Sequence, residues 1–89
     1  MRNDNPVYDK LKQIIANRFS NAVVNTHKRQ AEVARCCGIQ RQTLQKYIKG
    51  LNTIPIEVTI TVAEMSNTSV GYLLGEDLVS EPQERSDNE

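Results

Sequence analysis

The sequence predicts an all-α domain built from five short helices. Apolar residues recur at helical spacing from the N-terminus to about residue 75, and this period is typical of helices with one buried face. Glycine follows three of these segments, at Gly38, Gly50 and Gly75, while Pro6 and Pro55 stand at the start of two others. Glycine favours the left-handed conformation that ends a helix, and proline suits a first helical position. These five residues therefore set most of the expected boundaries.

The first helix is expected over residues 6–19, with Asn5 as its N-cap and Asp9 in its first turn, where the helix dipole favours an acidic residue. Its inward positions are Val7, Leu11, Ile14, Ile15 and Phe19. Residues 20–28 stay open: their polar ends suggest a loop, whereas the apolar residues 22–24 can prolong the helix or pack as a short extended piece.

A second helix is expected over residues 28–37, with Thr26 as its N-cap and Gly38 at its end. A third helix begins at residue 40 or 41 and continues to Lys49, with Leu44, Tyr47 and Ile48 facing inward. Only a tight turn fits between these two helices.

The fourth helix is expected to begin at Pro55 and to bury Val58, Val62, Ala63 and Met65. Residues 59–62 also have high β-propensity, so the helix is inferred from the proline and from the helical neighbours. A fifth helix spans residues 70–74. The domain is expected to cover residues 6–79, between a flexible arm at 1–5 and a disordered acidic tail at 80–89.

The net charge of zero conceals a strong division of charge along the chain. Residues 1–52 contain ten Lys or Arg and three Asp or Glu, a net charge of +7, whereas residues 53–89 carry a net charge of −7. Such asymmetry suggests one side that faces nucleic acid. Chance clustering in a chain with 25% charged residues is the simpler alternative.

Several functional classes are not expected from this sequence. It has no apolar run near the roughly 18 residues of a membrane span, and no apolar segment typical of a secretory signal follows its N-terminus. The adjacent Cys36 and Cys37 do not have disulfide-framework or zinc-ligand spacing, and His27 has no catalytic partner pattern. We therefore expect neither an enzyme nor a cofactor, metal or small-molecule ligand.

Residues 29–75 contain an ordered set of motif residues. The set begins with the run 30–39, which holds in order a Gln, an aliphatic-Ala pair, Gly38 and Ile39. It continues through Thr43, Leu44, Tyr47, Gly50, Pro55, Ala63 and residues 72–75. In this order of residues the segment resembles the helix-turn-helix domain of the phage repressor/Cro (lambda-repressor-like) family. The resemblance implies a five-helix bundle whose third helix enters the DNA major groove. Gln40 departs from the family, which usually has a Ser or Thr cap there.

The resemblance also implies roles for individual residues. Gln40, Arg41, Gln42 and Lys46 fall on base-contacting positions, and Gln45 lies on the same helix face. Gln30 matches a phosphate contact that can brace Gln42. The further phosphate candidates are Lys49 and Asn52, with Lys28, Arg29 and Arg18 as weaker ones. Tyr72, Leu74, Leu78 and Val79 offer a dimer contact. A soluble, merely polar helix face is the alternative for the third helix.

The expected function is that of a dimeric, sequence-specific transcriptional regulator that binds a palindromic double-stranded DNA operator in the bacterial cytoplasm. A Cro-like repressor and a small phage regulator that can also activate both fit. One alternative is an antitoxin whose main partner is a toxin. Another is a bundle that only binds other proteins.

Overall fold

The structure is a computed structural model that describes residues 6–78. Within this range the chain is all-helical and contains no strand, which confirms the predicted fold class at that level. The expected N-terminal arm, the Asn5 cap, Val79 and the acidic tail lie outside the described residues. The helices are α1 (Pro6–Asn25), α2 (Gln30–Cys37), α3 (Arg41–Ile48), α4 (Ile56–Ser66) and α5 (Val70–Leu74), followed by a 3₁₀ turn at Glu76–Leu78.

Helix α1 is longer than the pattern 6–19 indicated, because residues 20–25 continue it. Ala22 and Val23 are buried and prolong the stripe that begins with Ala16 and Phe19. The open choice for residues 22–24 is thus decided in favour of helix, since this extra turn buries apolar side chains against the other helices.

The expected role of Thr26 as N-cap of α2 is wrong. Its hydroxyl donates to the carbonyl of Val23 at 2.7 Å and accepts from the backbone N–H of Lys28 at 3.2 Å. Thr26 therefore supplies a hydrogen bond to a backbone carbonyl in the last turn of α1. Arg29 occupies the N-cap position of α2 and makes no side-chain capping bond.

All five α-helices contribute to one core. The most deeply buried large side chains are Phe19, Val33, Leu44, Val62 and Leu73, one from each helix. The rings of Phe19 and Tyr47 meet edge to face, with centroids 6.4 Å apart. Such a pair favours one fixed orientation of α3 against α1.

The connection between α2 and α3 is a three-residue turn, residues 38–40. Gly38 has a φ of +73°, and the N–H of Ile39 bonds to the carbonyl of Ala34 at 3.0 Å. Ala34 is buried, and its small side chain lets α2 and α3 approach each other closely. Gln40 stands at the N-cap of α3 without a side-chain capping bond.

Helix α4 forms despite the β-branched run at residues 59–62. The hydroxyl of Thr59 donates to the carbonyl of Pro55, and that of Thr61 donates to the carbonyl of Glu57. These bonds to the preceding turn fit a helix, and the burial of Val58 and Val62 stabilises it. Pro55 itself is the N-cap rather than the first helical residue. No helix in residues 6–78 is both long enough and apolar enough to cross a membrane.

Arg18 on α1 forms hydrogen bonds to the C-terminal end of the described residues. Its guanidinium donates to both carboxylate oxygens of Asp77, at 2.7 and 3.0 Å, and to the carbonyl of Tyr72 at 2.8 Å. The same group lies 4.0 Å from the centroid of the Tyr72 ring. This one side chain therefore fixes both α5 and the 3₁₀ turn against α1.

Candidate nucleic-acid interface

Helix α3 presents a polar, positively charged face to solvent. Leu44 and Tyr47 point into the core, so the opposite side of the helix faces solvent. The exposed side chains are Gln40, Arg41, Gln42, Lys46 and Lys49, and Gln45 is half-buried beside them. All five predicted base-contacting residues, Gln40, Arg41, Gln42, Gln45 and Lys46, thus lie at the surface.

Gln30 on α2 contacts Gln45 on α3. The amide nitrogen Nε2 of Gln45 donates to Oε1 of Gln30 at 3.3 Å. The expected brace from Gln30 to Gln42 is therefore wrong, because the crossing of α2 and α3 places Gln45 opposite the first turn of α2. The bond holds the Gln45 amide in one orientation at the surface.

The N-terminal ends of α2 and α3 border a common shallow concavity. It is lined by Arg29, Gln30, Ala31, Arg41 and Gln45. Helix N-termini carry unpaired backbone N–H groups and a partial positive charge, which attract phosphate. The exposed guanidinium groups of Arg29 and Arg41 reinforce that potential, and the exposed Lys28 precedes Arg29 along the chain.

A second group of phosphate candidates lies at the other end of α3. Lys49 and Asn52 are exposed there, on either side of Gly50. Gly50 has a φ of +75°, and a Cβ at this residue would lie 3.1 Å from the Cβ of Ala16. This close approach sets the turn against α1 and thereby fixes where Lys49 and Asn52 project.

The predicted phosphate-contacting residues consequently form two groups that flank α3. Lys28, Arg29 and Gln30 lie on its N-terminal side, and Lys49 and Asn52 lie at its C-terminal end. From Arg41 to Lys49 the helix rises about 12 Å, at roughly 1.5 Å per residue. The length of α3 between the two groups is therefore close to the width of a DNA major groove, which is about 12 Å.

Arg18, one of the weaker phosphate candidates of the sequence analysis, does not belong to these two groups. Its side chain is only 14% exposed and is engaged by Asp77 and Tyr72. The hydrogen bond from Arg18 lowers the pKa of the Asp77 carboxyl. The positive charge of Arg18 is therefore paired with Asp77 of the same chain.

The proposed dimer residues divide into two classes. Tyr72 and Leu74 are 48% and 46% exposed. Leu78 is half-buried and points back towards Gly75, where a Cβ would lie 3.3 Å from its Cδ1. Tyr72 and Leu74 are thus the two that remain accessible, and Val79 lies outside the described residues.

The sequence reasoning missed Tyr8, which is 48% exposed near the start of α1. Together with Ile15 and Leu74 it lines an apolar groove between α1 and α5. Helical spacing could have revealed Tyr8 as part of this groove. Tyr8 precedes the partly buried Ile15 by seven residues, or about two turns, and so lies on the same side of α1.

Comparison with protein-family models, with curated proteins and with solved structures finds no match to this chain. The assignment of a function therefore rests on the residues and their geometry.

Proposed function

We propose that α2 and α3 form a helix-turn-helix within a lambda-repressor-like bundle, and that the protein is a sequence-specific transcriptional regulator of the phage repressor/Cro type. In this proposal α3 enters the major groove of double-stranded DNA. The supporting observation is the charge of the α2–α3 surface. In residues 28–56 only the half-buried Glu32 is acidic, whereas six basic residues are exposed: Lys28, Arg29, Arg35, Arg41, Lys46 and Lys49.

The side chains on α3 match the hydrogen-bonding groups of base edges. A glutamine amide can accept from N6 and donate to N7 of adenine, and arginine or lysine can donate to O6 and N7 of guanine. Gln42 and Gln45 are the adenine-reading candidates, and Arg41 and Lys46 are the guanine-reading ones. Gln40, at the start of the helix, is the remaining base-contacting candidate.

The two groups that flank α3 hold the helix in the groove. Lys28, Arg29 and Gln30 contact the phosphates on one side, and Lys49 and Asn52 contact those on the other. Such contacts fix the register of α3 on the duplex but carry no sequence information. They supply the part of the affinity that depends on salt.

The protein acts as a homodimer on a palindromic operator, in a bacterial cytoplasm. One α3 helix reaches only a few base pairs, so a two-fold pair that reads two half-sites about one helical turn apart provides the necessary specificity. Tyr72 and Leu74 are the accessible residues of the dimer surface. Catalysis and bound cofactors have no part in this proposal.

The proposal is tested by selecting bound sites from random DNA with the purified full chain. We expect a palindromic consensus whose half-sites are centred about 10 base pairs apart. The matched control is the double variant Gln42→Ala/Lys46→Ala, which should select a degenerate consensus. Absence of any enriched sequence with the wild-type chain would refute the proposal.

A second candidate function is that of an antitoxin, in which DNA binding serves autoregulation and the main partner is a toxin. It is favoured by the apolar residues outside α2 and α3: Ile56 and Ile60, one turn apart on α4, are 49% and 46% exposed. Tight operator binding by the purified chain alone counts against it. Operator binding that requires a copurifying partner would favour it.

A further inference from the structure

A largely apolar groove of about 250 Å³ lies between the first half of α1, the α3–α4 connection and α5. Its apolar lining is formed by Tyr8, Ile15, Tyr47, Ile54, Leu73 and Leu74. Two of these residues, Tyr8 and Leu74, remain 48% and 46% exposed. The core is therefore incomplete at this point, with exposed side chains at an open cleft.

We propose that this groove receives Leu74 of a second copy of the chain, and that two copies associate here about a two-fold axis. The inference deepens the proposed function and rests on it, because it names the surface through which the regulator dimerises. It also adds α1 and the α3–α4 connection to an interface that the sequence placed at the C-terminal end alone.

The position of Leu74 favours a second copy as the occupant. Leu74 stands beside Leu73, which is 2% exposed and reaches the same groove. The protruding residue and the cavity are therefore adjacent on one surface. In a two-fold contact each copy supplies both parts, so that each Leu74 fills the groove of the other copy.

Charge complementarity also favours a second copy. Lys12 is the charged residue in the groove lining. Residues 53–78 contain four carboxylates and no Lys or Arg. Among these carboxylates Asp77 is bound to Arg18, whereas Glu76 is exposed two residues after Leu74. Insertion of Leu74 therefore brings Glu76 of one copy towards Lys12 of the other, and the two-fold axis makes this pair twice.

The location of the groove links dimerisation to DNA reading. Gly50 and Asn52 lie in its lining, immediately after α3 ends at Ile48. Two copies docked here have the C-terminal ends of their α3 helices towards the centre of the dimer. This contact would consequently set the spacing of the two half-sites.

The first test is sedimentation equilibrium of the full chain without DNA. We expect a wild-type dimer, and at least a tenfold weaker association for Leu74→Asp. The matched control is Val24→Asp, since Val24 is 68% exposed on α1 and does not line the groove. Circular dichroism identifies a misfolded variant, and Tyr8→Glu tests the opposite lip if Leu74→Asp fails to fold.

A charge exchange gives the second test. Lys12→Glu and Glu76→Lys should each weaken the dimer, and the double variant should recover most of the association because the pairs form again with reversed sign. A wild-type monomer, equal effects of Leu74→Asp and Val24→Asp, or no recovery in the double variant would each overturn the inference. Selection of a non-palindromic site by a monomer would overturn it while leaving base reading intact. A groove-dependent dimer that selects no DNA would instead refute the proposed function alone.

Discussion

Gln45 of α3 donates a hydrogen bond to Gln30 of α2, with 3.3 Å between Nε2 and Oε1. An amide nitrogen carries two hydrogens, so Nε2 of Gln45 retains one donor and its Oε1 remains free to accept. Those are the two groups that adenine requires in the major groove. The contact to Gln30 thus leaves Gln45 with the donor and the acceptor that the proposed base contact requires.

Replacement of Gln30 by Ala should lower the base preference at the position that Gln45 reads. A double-mutant cycle of Gln30→Ala and Gln45→Ala, measured as operator affinity, should give a coupling energy of about 1 kcal/mol, typical of a neutral hydrogen bond. Gln30→Ala combined with Gln42→Ala is the control and should be additive. Additivity in both cycles would show that the brace has no role in binding.

Gln42 is exposed on the same face of α3. Gln42→Ala should cost about 1–3 kcal/mol of operator binding and relax the preference at one base pair, because a bidentate base contact is lost. The measurement is the affinity for operators substituted at each position. Asn21→Ala, which removes an exposed amide from α1, should change none of these values. An equal loss on every DNA sequence would contradict base reading by Gln42.

Lys49 lies at the C-terminal end of α3. Lys49→Ala should weaken binding to all sequences alike and reduce the slope of log affinity against log salt by about one, as expected when one phosphate contact is lost. Lys10→Ala is the matched control, since Lys10 is two residues from Lys12 and thus on the other side of α1 from the cleft that Lys12 and Lys49 share. A slope unchanged by Lys49→Ala would remove Lys49 from the interface.

The helix boundaries marked by glycine were well predicted, because a left-handed residue is a local requirement. Helices α3 and α5 end beside Gly50 and Gly75, as expected. Residues 20–25 could not be assigned locally, since their helix depends on burial of Ala22 and Val23 by other helices.

The contacts between side chains were less predictable. Gln42 and Gln45 are both polar and outward on α3, and only the crossing of α2 over α3 decides which one reaches Gln30. Arg18 and Asp77 are 59 residues apart in sequence, so no local pattern could have revealed their ion pair. Arg18, which the sequence offered as a phosphate contact, instead links α1 to Tyr72 and Asp77.

Asp77 should make the protein more sensitive to acid. The hydrogen bond from Arg18 lowers the Asp77 pKa in the folded state, so the pair contributes stability above the ordinary carboxyl pKa of about 3.9. That contribution is lost as the pH falls through the lower, folded-state pKa. Denaturant unfolding at pH 7 and pH 3 should show a smaller loss for Asp77→Asn than for wild type. Glu64→Gln, an exposed carboxylate on α4, should behave as wild type; equal losses in all three would contradict the prediction.

Gly38 and Gly50 should differ in their tolerance of alanine, although both have a positive φ. A Cβ at residue 38 meets no atom within 4 Å, whereas a Cβ at residue 50 lies 3.1 Å from that of Ala16. Gly38→Ala should therefore cost about 1–2 kcal/mol of unfolding free energy, from the left-handed backbone alone. Gly50→Ala should cost more, because the α3–α4 connection must also move away from α1. Denaturant unfolding measures both values. Equal costs would show that the approach of Gly50 to Ala16 does not constrain the placement of Lys49 and Asn52.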